Sequence, residues 1–133
     1  MTTPKPPAVQ LIANLVVRCP DGRVLLVRYD LEDDRWWLPG GDLEPYEHPD
    51  DRARAVLAQL PALRASAVSL SHVESFRGRR GWHVVFHDLV DAEGEVAPES
   101  AGVPAAWHDP ASLPPTAHGG WERDAVAAAL GRG

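Results

Sequence analysis

The sequence predicts an α+β domain whose elements run strand-rich, helical, strand-rich, helical. Three observations lead to this. Two pairs of β-branched and aliphatic runs each flank a turn signal, Pro20-Asp21-Gly22 in the first pair and Gly78-Arg79-Arg80-Gly81 in the second. Two stretches with helical spacing, His48 to Leu60 and Gly120 to Leu130, follow the two strand-rich halves. The chain has 133 residues, of which 44% are hydrophobic, enough for one core, with no internal repeat or composition break to mark a domain boundary. We assign residues 1–7 to a flexible lead-in and 8–133 to one domain.

Taken in order, Val9 to Cys19 is rich in Val, Ile and Leu and reads as a strand, and Arg23 to Tyr29 returns as its hairpin partner. Asp30 to Arg35 is a charged loop. Trp36 to Leu38 is a short strand entering a Pro39-Gly40-Gly41 turn. The next helix has proline at its first position, Pro49, and two aspartates in its first turn, which suit the unpaired N–H groups there. Ala53, Val56, Leu57 and Leu60 form its apolar side, and Pro61 ends it. Ala65 to Arg77 and Trp82 to Asp91 are the second strand pair. Closing this pair symmetrically puts His72 opposite His87, Glu74 opposite Val85 and Phe76 opposite His83, so that four polar groups share one sheet face. Val103 to His108 is a short strand, Asp109 to Pro114 a helical turn, and the final helix presents Trp121, Ala125, Val126, Ala129 and Leu130.

Composition excludes several roles. A formal net charge of −6 argues against broad binding to nucleic acids or anionic membranes, both of which call for a basic face. A single cysteine, Cys19, rules out an intrachain disulfide and a cysteine-based zinc site. The polar, proline-rich start has no apolar core of a signal peptide, and no apolar run is long enough to span a bilayer, so a cytoplasmic location is expected.

The stretch Trp36-Trp37-Leu38-Pro39-Gly40-Gly41-Asp42-Leu43-Glu44-Pro45-Tyr46-Glu47 resembles the Nudix hydrolases. Their box reads G-x5-E-x7-R-E-U-x-E-E-x-G-U, with U aliphatic. Gly41 and Glu47 match its first half, and the preceding Trp-x-Leu-Pro-Gly and a glutamate at Glu44 are common in that family. The second half departs from it. The arginine falls on Ala55, the next glutamate on Val56 and the paired glutamates on Gln59 and Leu60, with the aliphatic position kept as Leu57. Tyr46 stands where the family usually has glycine. The resemblance implies a Nudix-type α/β/α sandwich with a mixed β-sheet between helices. It also implies a magnesium-dependent diphosphate hydrolase, whose box glutamates hold the ion on the substrate. Magnesium requires hard oxygen ligands, and Val56, Gln59 and Leu60 supply at most one neutral carbonyl oxygen.

The expected function is therefore a Nudix-fold protein that binds a nucleotide-like or other small ligand without the usual metal-dependent hydrolysis. No metal is expected at the box; magnesium or manganese would be needed were activity retained. Glu44 and Glu47 are the candidate catalytic carboxylates, and Glu47 also suits a helix start. Arg28, Gly40 and Gly41 are candidate ligand-binding positions implied by the resemblance. Trp36 and Trp37 alternate in direction along a strand, with Trp37 the candidate for stacking on a base. His72, Glu74 and His87 form a second cluster, suited to holding a transition metal, to acid–base chemistry near neutral pH or to a non-hydrolytic reaction. In this reading Val56 and Leu60 turn the former metal pocket into a drier cavity or contact surface. A homodimer that buries the apolar helix or the Trp-rich edges is compatible with either function. The alternative is a divergent hydrolase of nucleoside diphosphate-linked compounds.

Overall fold

The computed structural model describes residues 8–30, 32–60, 62–95 and 103–132. The expected lead-in over 1–7 and the helix stop at Pro61 lie outside these residues. The elements are β1 (Val9–Arg18), β2 (Val24–Val27), β3 (Gly40–Asp42), α1 (Pro49–Ala58), β4 (Arg64–Gly78), β5 (Gly81–Glu93), β6 (Ala105–His108) and α2 (Gly120–Arg132). The strands form one mixed sheet in the order β4-β5-β1-β2-β6, with β3 pairing β1. β1 and β5 run parallel and every other pairing is antiparallel.

A helix lies on each face, which explains the unbroken apolar runs in the central strands. Side chains alternate between faces along a strand. Leu15, Val17, Leu25 and Val27 pack with Ala53, Val56 and Leu60 of the α1 segment, while Val16, Val24 and Leu26 pack with Ala125, Val126 and Ala129 of α2. The fold is thus the α/β/α sandwich with a mixed sheet that the sequence implied.

Two details differ from the sequence reading. Gly40-Gly41 is not a free turn, because it forms β3 against β1, with Gly41 opposite Ala13 and Gly40 opposite Asn14. A Cβ on Gly40 would lie 2.8 Å from the Ala13 carbonyl oxygen, so only glycine permits this approach. The second difference concerns Val56 and Leu60, which line neither a cavity nor a contact surface. They are 3% and 4% exposed and belong to the core between α1 and the sheet.

The β4–β5 hairpin closes with Gly78 opposite Gly81, leaving Arg79 and Arg80 at its tip. Gly81 has φ +106°, a backbone conformation that side chains disfavour. The register sets His72 against His87, Glu74 against Val85 and Phe76 against His83, as symmetric closure predicts, although the pairing shifts between Leu70 and His72. Among the described residues no helix is long and apolar enough to cross a membrane.

Candidate functional site

A cavity of about 660 Å³ opens beside the β1–β3 pairing, between the β4–β5 hairpin tip and the start of α2. Its walls are strongly aromatic, with Tyr29, Trp37, Phe76, His83, His118 and Trp121 all contributing. The rings brace one another at edge-on angles. Trp37 meets Tyr29 at 6.1 Å and His118 at 5.0 Å between centroids, and His118 meets Trp121 at 5.6 Å. Edge-to-face contacts at these separations each stabilise by roughly 1 kcal/mol and fix the ring planes. Arg79 and Arg80 bring positive charge to the wall. Both are exposed, and neither forms an ion pair among the described residues, whereas Arg18, Arg23, Arg35, Arg52 and Arg64 are each paired with an acid.

Several expected site residues fall on or behind this wall. Trp37, Gly40 and Gly41 line the cavity. The backbone of Gly40 is already engaged, since its N–H donates to the Tyr29 hydroxyl at 2.9 Å and its carbonyl accepts from it at 3.1 Å. This pair of bonds holds the Tyr29 ring in the wall. Glu74 stands one layer back. Its carboxylate accepts from the Trp121 indole N–H at 2.7 Å and so orients that ring. Behind it, His72 stacks on His87 at 4.3 Å with 15° between planes. His87 is fully buried, and its Nε2 has no hydrogen-bond partner. Burial, with the neighbouring His72 adding to it, lowers its pKa to about 4, so the ring is neutral at pH 7.

Other expected residues sit elsewhere. Arg28 is absent from the cavity wall; its guanidinium donates to the Asp33 carbonyl at 2.9 Å and lies over Trp36. Glu44 is exposed. Glu47 is held by Arg52 through two hydrogen bonds of 2.8 and 3.0 Å, and also accepts from the Glu44 N–H at 3.0 Å. The Arg52 guanidinium holds its carboxyl below the usual glutamate range, followed by the Glu44 N–H as a second cause. Glu47 thereby staples the approach to α1. The cap itself is His48, whose Nδ1 accepts from the Asp50 N–H at 3.1 Å.

These positions test whether a box metal fits. The Glu47 oxygens are committed to Arg52, Val56 and Leu60 are core side chains, and Gln59 is an exposed neutral amide. Among the described residues no three His, Cys, Asp or Glu side chains form a group that could hold a metal ion. The donor set does not fit the magnesium that the box resemblance implies.

One pair that the fold brings into the wall had no signal in the sequence. Glu122, in the first turn of α2, is 1% exposed. Its Oε1 accepts the backbone N–H of His118 at 3.0 Å, and its Oε2 lies 2.5 Å from His118 Nδ1. A glutamate that reaches back from the first turn to an unpaired N–H is one arm of a capping box. The loop that delivers His118 is fixed from the other side, where Trp36 exchanges backbone hydrogen bonds with Pro115 and Ala117 at 3.0 and 2.9 Å. One further buried acid lies on the opposite sheet face. Asp88 is 1% exposed, neither carboxylate oxygen has a partner, and burial, reinforced by Asp50 and opposed by His48, raises its pKa to about 6.

No protein-family model and no curated protein matches the sequence. Solved structures do match its fold. A MutT protein from Bacillus halodurans superposes with a TM-score of 0.65 at 20% identity, over 86% of this chain and 80% of that one. An ADP-ribose pyrophosphatase from Streptococcus suis gives 0.64 at 21% identity, over 92% and 90%. A UDP-X diphosphatase gives 0.69 at 17% identity; it covers 97% of this chain, which spans 64% of that longer one. The chain has the Nudix fold that these proteins share.

Proposed function

We propose that this chain uses the Nudix fold to bind a nucleotide-like ligand in the aromatic cavity, without the box metal and without the usual magnesium-dependent diphosphate hydrolysis. The observation that supports this most directly is a division within one site. The cavity keeps what a planar, anionic ligand needs: rigid ring faces from Trp37, Tyr29 and Trp121, and cations from Arg79 and Arg80. On the helix that would hold the metal, two of the three ligand positions, Val56 and Leu60, are core, and the third is the neutral Gln59. A cavity of this size with an apolar wall and few polar groups is typical of small-molecule sites. The names of two fold neighbours, an ADP-ribose pyrophosphatase and a UDP-X diphosphatase, point to the same ligand class.

In this reading the base stacks against the Trp37 and Trp121 rings, and the phosphates lie toward the hairpin tip. Glu74 acts by orienting Trp121, and His72 and His87 support that wall from behind. Glu44 and Glu47 serve the loop and helix start in place of catalysis. The net charge of −6 leaves nucleic acid and membrane surfaces as poor partners.

Isothermal titration with ADP and with adenosine, in magnesium and in EDTA, tests the reading. ADP is expected to bind with the same affinity in both media, and more tightly than adenosine. Binding that appears only with magnesium, or magnesium-stimulated phosphate release, would overturn it.

A further inference from the structure

Resting on that binding mode, we propose that His118 and Glu122 form a metal-independent acid–base centre in the cavity, acting on a bound phosphoanhydride. Four observations converge. His118 lines the cavity with its side chain about half exposed (53%), while its partner carboxylate is 1% exposed. Glu122 occupies Nδ1, and its second oxygen is fixed by the His118 backbone N–H, so the carboxylate has no freedom to rotate away. The other ring nitrogen, Nε2, forms no hydrogen bond within the described residues, and it belongs to a side chain that is exposed on the cavity wall. Trp37 and Trp121 hold the imidazole edge-on from two sides. A buried carboxylate on one imidazole nitrogen keeps the proton there, leaves a lone pair on the other and stabilises the imidazolium once formed.

The step this permits consumes one water. Nε2 takes a proton from the water as its oxygen bonds to a phosphorus of the diphosphate. The bond from that phosphorus to the bridging oxygen breaks, and its electron pair leaves with the departing phosphate. The imidazolium then returns the proton to that phosphate. Arg79 and Arg80 neutralise the charge that develops on the phosphoryl oxygens, the task a metal would otherwise perform. In this scheme His118 is the catalytic residue and Glu122 a positioning residue.

The capping role of Glu122 alone would account for a buried acid at a helix start. It does not require a histidine on the second oxygen, nor that histidine's free nitrogen in an aromatic cavity.

The test measures phosphate and nucleoside monophosphate release from ADP, UDP, ADP-ribose and UDP-glucose in excess EDTA, beside calorimetric binding of the same compounds. EDTA-resistant turnover of at least one bound compound is expected. His118→Gln should lower kcat by at least about 100-fold, a loss at least about tenfold larger than any accompanying loss of ADP affinity. Glu122→Gln should lower kcat with KM unchanged; should that variant not fold, His118→Gln decides alone. Binding without EDTA-resistant turnover, or turnover that His118→Gln leaves intact, overturns the centre while leaving the ligand cavity standing. Failure of every compound to bind overturns both.

Discussion

The two faces of the sheet are built on the same strands and yet have opposite characters. On the α1 face the cluster of Leu15, Val17, Leu25 and Val27 closes on Ala53, Val56 and Leu60, and the charges at the helix start are tied to each other. On the α2 face, polar groups line up beneath rings: His87 beneath His72, Glu74 beneath Trp121, and Glu122 beneath His118. Burying a polar group costs free energy unless it is paired; Asp88 is buried without a partner on the α1 face, whereas on the α2 face Glu74 and Glu122 are bonded to rings of the cavity wall. Two helix positions where the Nudix resemblance places metal ligands, Val56 and Leu60, are core. The cavity wall joins Trp37, Gly40 and Gly41 of the Nudix-like stretch to His118 and Trp121 at the start of α2.

The largest expected effect breaks this contrast directly. Val56→Glu places a carboxylate in a 3% exposed core position, where the Nudix resemblance puts a box acid. It should destabilise the fold by about 4 kcal/mol or more, since an unpaired buried charge is among the costliest substitutions. Gln59→Glu, also a box position but exposed, should change stability by less than about 0.5 kcal/mol. Urea unfolding of both variants measures the difference. Equal, small effects would mean that position 56 faces solvent and that the α1 face is an open site.

The second prediction sharpens the contrast at neighbouring residues. His87 and Asp88 point to opposite faces and titrate in opposite senses. The His87 pKa falls to about 4 from 6.5, so the unfolded chain binds the extra proton between those values; its contribution is present above pH 6.5 and is lost as pH falls toward 4. The Asp88 pKa rises to about 6 from 3.8, so its contribution is present below pH 3.8 and is lost as pH rises through 6. Each is worth about 3 kcal/mol, and between pH 4 and 6 the two slopes largely cancel. Asp88→Asn should uncover the histidine slope, losing about 3 kcal/mol on acidification from pH 6.5 to 4. His87→Gln should uncover the aspartate slope and gain stability over the same interval. Unfolding free energies across that range would show parallel profiles if neither group is buried in the folded state.

What the sequence made legible was the part governed by local pattern. The β-branched and aliphatic runs and the Gly-Arg-Arg-Gly turn were enough to place the two hairpin pairs and the β4–β5 register, because hairpin closure is short-range. The Gly40-Gly41 strand was hidden because its identity depends on the approach of β1, which no local propensity records. Val56 and Leu60 stood out as apolar residues where the resemblance puts acids, but not as core, since an apolar residue at such a position reads equally as cavity lining. His118 and Glu122 are four residues apart, but His118 precedes α2, so helical spacing does not read them as a pair. The burial of Glu122 and the aromatic cage around the ring come from α2 docking on the sheet and from the backbone bonds at Trp36, both long-range.

The smallest effect concerns the loop between the two regions. Tyr46 stands where the Nudix resemblance places glycine, and its backbone adopts φ +66° with the side chain fully exposed. The ring makes no packing contribution to offset the left-handed backbone, which costs a non-glycine residue roughly 1–2 kcal/mol. Tyr46→Gly removes that strain but frees the unfolded chain, which costs up to about 1 kcal/mol in return. The expected net is a gain of about 0.5 kcal/mol, read as a small rise in the urea midpoint with an unchanged slope. ADP binding should not move, because Tyr46 is not part of the cavity wall. A Tyr46→Gly variant that lost ADP affinity would place this loop in the ligand site. The α1 end would then be a second arm of that site, and the division between a structural face and a chemical face would have to be redrawn.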